Sequence, residues 1–210
     1  GILLETALGM DILTLGKVAV LAVAISVLGI AMCAFFHKAE HFAKHHVANP
    51  YVRIAVGGVI VMAMTLLVGD HRFNGAGMDM ALGAIGGTGE WYYFLLKMLF
   101  TAVTLAAGFK GGEIVPTFCI GATFDLTVGT MLGLDAELAA ALGLIGLFCC
   151  ATNSPLASIV MSVEMFGGAN IHLFALVCVV CFVLSGHSGL YSSQIHQFHK
   201  ASTNQSARES

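Results

Sequence analysis

The sequence predicts an all-α, multi-pass membrane fold of about nine tilted or broken helical pieces, and three observations carry that expectation. Of 210 residues, 58% are hydrophobic and only 10% charged, at a mean hydropathy of +0.89, whereas a soluble domain carries about 25% charged residues. Apolar stretches free of Asp, Glu, Lys, Arg and His recur at 18–36, 54–69, 98–109, 114–124, 138–163 and 173–186. The first reaches the roughly 20 residues of a simple span. Several others are shorter or interrupted by Gly, Pro and Asn. Irregular backbone lies at membrane depth only where protein buries it or it lines a wet cavity, and paired interrupted segments accompany transport sites.

Taken in order, residues 1–14 read as a connector, 15–200 as the transmembrane domain and 201–210, "ASTNQSARES", as a polar tail expected to be disordered. The start "GILLETALGMDIL" has no positive residue and no small-residue cleavage site, so no secretory signal is expected there. The chain is expected to be a fragment of a longer protein. Lys17 to about His46 forms a long helix whose last turns, "FFHKAEHFAKHHV", leave the hydrocarbon. His37, His41 and His45 share one face. A metal ladder is one reading, but Lys38, Glu40 and Lys44 among them favour a wet interface, and no Cys or Asp cluster stands beside them.

"ANP" at 48–50 is a turn, and a helix over 51–69 follows, with Gly57 and Gly58 allowing close packing. "GDHRFNGAG" at 69–77 is a polar break. A short helix over 78–85 precedes "GGTGE", and Trp91, Tyr92 and Tyr93 place an interface-type aromatic cluster at the next span, 91–107. Beyond "GFKGGE" come helices over 113–132 and 136–151, the second capped by Asp135. Asn153, Ser154 and Pro155 break the chain before a short helix to Glu164, and 171–184 is the last apolar segment. All six cysteines, Cys33, Cys119, Cys149, Cys150, Cys178 and Cys181, fall in apolar surroundings, so the CxxC of Cys178 and Cys181 reads as buried thiols.

The stretch "GFKGGEIVPTF", 108–118, carries the chemistry. Gly111 and Gly112 end one helix, and Glu113, Ile114, Val115 and Pro116 open another, with Pro in the first turn, where a missing N–H is tolerated. The new helix points free N–H groups and its positive dipole end into the protein, an arrangement that binds an anion. The preceding glycines let the anion approach the backbone. The competing reading is a Gly-rich break whose Glu113 merely caps the helix.

These residues resemble the second repeat, the C-terminal half, of the CLC family of chloride channels and proton-coupled anion antiporters. In that family a helix entered through G-x-F-x-P holds the anion on backbone amides; residues 112–116 match that frame, with Ile114 in place of Phe. "NSPLASIVMSVEM", 153–165, is similar to the family's segment opened by Pro-Leu and closed by Glu, here Pro155, Leu156 and Glu164. "GLYSSQI", 189–195, resembles the stretch carrying the tyrosine that faces the anion, here Tyr191. The long helix with a charged end, the Gly-Gly helix and the Gly-rich break keep the family's order. The family's first-repeat strings, G-S-G-I-P and G-R-E-G-P, do not occur.

The resemblance implies one repeat of the CLC fold, transporting chloride or fluoride as a channel or as an antiporter with protons. The site residues it implies are Glu113, Ile114 and Tyr191, with no metal and no cofactor. It further implies a homodimer in a bacterial cell membrane, with membrane lipid as a partner. Glu113 is similar to the glutamate of the fluoride-exporting clade, implicated there in proton coupling; Val115 and Thr117 differ from that clade, and Lys110 agrees with it. For Glu164 a structural or dimer-facing role is expected. Asp125 stands where the family prefers Gly. Outside the family frame, the alternatives are a structural or assembly fragment and a membrane-embedded enzyme. HExxH and GxSxG are absent, so no enzyme is expected, and the net charge of -3 gives no basic face for nucleic acid.

Overall fold

A computed structural model of the protein describes residues 2–74, 77–109 and 113–186. It contains eight helices among those residues and no strand. They are α1 (Ile2–His46), α2 (Pro50–Val68), α3 (Met78–Ile85), α4 (Tyr93–Ala106), α5 (Ile114–Met131), α6 (Ala136–Thr152), α7 (Pro155–Phe166) and α8 (Ile171–Ser185). About nine pieces were expected, and the stretch "GLYSSQI" lies outside the described residues. Helix α1 is helical from Ile2, so the expected connector continues the first span.

Three helices are long and apolar enough to cross a membrane: 12–46 within α1, α2 and α5. In α1 the buried positions Val18, Leu21, Ala22, Ile25, Leu28, Met32, Cys33 and Phe36 follow a helical stripe, while Val20, Val23, Val27 and Ile30 on the other side are exposed. A helix apolar all round belongs in a core or a bilayer.

The caps follow local chemistry. Asn49 accepts the N–H of Tyr51 at 3.0 Å, with Pro50 opening α2. Asp135 accepts the N–H of Leu138 at 3.2 Å, as a helix N-cap should. Asn153 closes α6 with φ 55°, and Pro155 starts α7.

At the centre lies α6, with every residue from Ala139 to Leu147 buried, packed along α5 and against α1 and α8. Small residues bring α5 and α6 together. A side chain at Gly121 or at Gly143 would run into the other's carbonyl oxygen, and one at Gly129 into the Ala139 methyl. Small-residue seams of this kind are how helices associate in lipid, where apolar burial gives no driving force between them. All six cysteines are buried and free.

Candidate functional site

The opening of α5 is built by how α4 ends. The Gly108 N–H bonds to the Leu105 carbonyl at 3.0 Å and that of Phe109 to Thr104 at 3.3 Å. Gly108 then turns at φ +98°, a conformation costly to any residue with a Cβ. Lys110, Gly111 and Gly112 lie outside the described residues, and the chain resumes at Glu113, the residue before α5.

The first bond of α5 runs from the Thr117 N–H to the Glu113 carbonyl at 3.2 Å, so the N–H groups of Ile114 and Val115 have no acceptor within the helix. Pro116 offers no donor, and it sits in the first turn as expected. The Thr117 hydroxyl donates to the Glu113 carbonyl at 2.8 Å. That bond turns the hydroxyl back along the helix and occupies the carbonyl. No side-chain capping hydrogen bond is formed at this N-cap. The residue is half-buried.

Of the expected site residues, Glu113 and Ile114 are adjacent at this helix end, with Ile114 41% exposed. Tyr191 lies outside the described residues. Glu164 is exposed near the end of α7. His37, His41 and His45 are exposed along one face of α1, the rings of His41 and His45 stacked at 6.5 Å. Among the described residues no group of three or more His, Cys, Asp or Glu is arranged to hold a metal ion.

Two cations set in apolar helices escaped the reading from sequence. Lys97 is the lone charge in α4 and is 2% exposed. Its Nζ donates to the Phe73 carbonyl at 3.2 Å, and a Cβ at Gly77 would come within 2.9 Å of its Cε and 3.2 Å of the Cys119 thiol. Lys97 therefore ties the break at 69–77 to α4 and α5. Arg53, in the first turn of α2, lies against Gly108: a Cβ there would be 3.7 Å from its Nε. The signal for both was a charge set in an otherwise apolar helix, which is a functional or anchoring position by default.

Outside the spans, Asp70 accepts the Arg72 Nε at 2.6 Å and the Arg72 backbone N–H at 2.9 Å. The side-chain bond first, and the backbone bond after it, hold the Asp70 carboxyl below the usual carboxylate range.

Known proteins share this architecture. The chain is 32% identical over 172 residues to the "Chloride/fluoride channel protein" of Pseudomonas syringae pv. tomato, covering 79% of this chain and 38% of that one. It is 27% identical over 121 residues to an uncharacterized protein of Methanocaldococcus jannaschii, covering 56% and 31%. The crystal structure of a CLC-type fluoride/proton antiporter superposes with a TM-score of 0.82 at 29% identity, covering 86% of this chain and 46% of that one. The chain thus spans less than half the length of these relatives. A profile of the voltage gated chloride channel family matches residues 3–186, and with the helix order and the α5 entrance in place, the chain belongs to that family.

Proposed function

We propose that this chain forms one half of an anion-transporting pore, in which the amides at Glu113 and Ile114 hold a small halide at the start of α5. The single observation that supports the reading is the helix end itself: the Ile114 N–H, like that of Val115, has no acceptor within the helix, and a glycine turn at Gly108 closes the helix before it. A helix N-terminus in this state concentrates positive potential on donors that only a ligand or water can satisfy. Tyr191 is assigned the second contact, from the resemblance.

Fluoride with a proton is favoured over chloride. Glu113 stands at the mouth of the site, and one relative is a fluoride/proton antiporter by name, while another is named for chloride and fluoride alike. A carboxylate and an anion at one helix end repel each other, so protonation of Glu113 favours anion occupancy and links the two movements. The whole protein is read as a homodimer in a bacterial cell membrane, with the rest of each pore supplied by the family's other repeat.

The test is efflux from liposomes containing the full-length protein, with a fluoride electrode and a pH probe reading together. Glu113→Gln is expected to abolish proton movement coupled to fluoride. Coupled transport at the wild-type ratio would refute the role given to Glu113. Absence of any anion flux from the wild type would refute the transport reading.

A further inference from the structure

A cleft between α1, α2 and α4 encloses about 310 Å³ of open space. Its walls are apolar, among them Phe35, Val56, Ile60, Leu99 and Val103. Arg53 and His46 stand at one end. The Arg53 Nε is buried and has no hydrogen-bond partner, although Nη1 reaches the Val47 carbonyl at 3.5 Å. A buried donor without an acceptor is rare in a native protein and calls for a ligand or an ordered water.

Position gives the ligand its chemistry. The 19 residues of α2 span about 28 Å, close to the hydrocarbon thickness of about 30 Å. Arg53 lies in the first turn of α2, so its guanidinium sits at the level where lipid phosphates begin. The basic last turn of α1, Lys44, His45 and His46, adds positive charge at the same level. The cleft runs from that charged end along the span, where a fatty acyl chain lies. Basic pockets between membrane helices hold anionic head groups, and guanidinium meets phosphate in two-pronged fashion.

We propose that this cleft binds one anionic phospholipid, its phosphate on Arg53 and one acyl chain against Phe35, Val56 and Val103. The phosphate meets the guanidinium where Arg53 lines the cleft, and the acyl chain covers its apolar walls. Arg53 also touches the Gly108 turn that precedes α5, but occupancy of the cleft does not depend on which anion the pore carries.

Native mass spectrometry of the detergent-purified full-length protein, offered equal amounts of dioleoyl phosphatidylglycerol and dioleoyl phosphatidylcholine, tests this. The wild type is expected to retain one phosphatidylglycerol per subunit in preference to phosphatidylcholine. Arg53→Gln is expected to lower that retention about fivefold, the effect of one interfacial cation, and Arg53→Lys to restore most of it. Val103→Phe, which fills the cleft and leaves the arginine, is expected to lower retention of both lipids; it serves if Arg53→Gln fails to fold. Equal retention of the two lipids by the wild type overturns the proposal, as does undiminished phosphatidylglycerol on the Gln and Phe variants. A cleft filled by the rest of the protein shows as no retained lipid, which also overturns it.

Discussion

Asp125 of α5 packs its side chain directly onto the backbone of Gly143 in α6: a Cβ added to Gly143 would lie 2.7 Å from the Asp125 Cγ. The side chain is 0% exposed, and neither carboxyl oxygen has a hydrogen-bond partner. Residues 121, 125 and 129 recur every four positions, so they share one helix face. The aspartate therefore occupies the middle of the small-residue seam, between Gly121 and Gly129.

A buried polar group without a partner costs about 1–3 kcal/mol, so removing it stabilises the protein. Asp125→Ala keeps the Cβ that already fits and discards the orphan oxygens. It is expected to raise the thermal midpoint of the purified full-length protein. A lower midpoint would show that the carboxyl has a partner outside the described residues.

Gly143→Ala tests the seam from the other side. The new methyl meets the Gly121 carbonyl and the Asp125 Cβ, both on a rigid helix that cannot yield by rotating a side chain. A loss of about 1–3 kcal/mol is expected, together with weaker anion binding because α5 carries the site at its other end. An unchanged melting temperature would argue that α5 and α6 slide apart freely.

Asp135→Ala removes the side-chain acceptor of the Leu138 N–H. The expected cost is about 0.5–2 kcal/mol, read as a lower denaturation midpoint, and Asp135→Ser is expected to recover most of it. Failure of serine to rescue would assign Asp135 some other task than capping.

The pair of Asp70 and Arg72 sets an acid-side dependence. Since the Asp70 carboxyl is held below its ordinary range, its contribution is present above the unfolded value of about 3.9 and is lost as pH falls through the lower folded value. Hydrogen exchange at 70–74 is expected to quicken at that acid end in the wild type. In Asp70→Asn the acid-side step should vanish. An identical step in the variant would place the titration on another group.

The boundaries of α6 and the start of α7 were legible in the sequence to within a residue or two because Asp135, Asn153 and Pro155 punctuate the chain by local rules. The α5 entrance was legible for the same reason: Gly108 permits a left-handed turn and Pro116 fixes φ whatever surrounds them. The start of α1 at Ile2 was not, since an amphipathic run continuing a span leaves no stop signal between them. Lys97, Arg53 and Asp125 show the other limit. A lone charge among apolar residues announces that it needs an environment, but the carbonyl of Phe73, the Gly108 turn and the Gly143 backbone are distant in sequence. Only folding brings them together.

Helix α1, at 45 residues, measures about 67 Å from end to end, more than twice the hydrocarbon depth of about 30 Å. Even inclined by 40°, the upper end of the usual range, a straight rod this long cannot be hidden by lipid. Its imidazole-bearing tip is consequently a built-in ruler for the bilayer: a water-soluble histidine reagent applied from one side of sealed vesicles, with the label mapped to 37–46 or to His71 across α2, would read which way the protein is inserted.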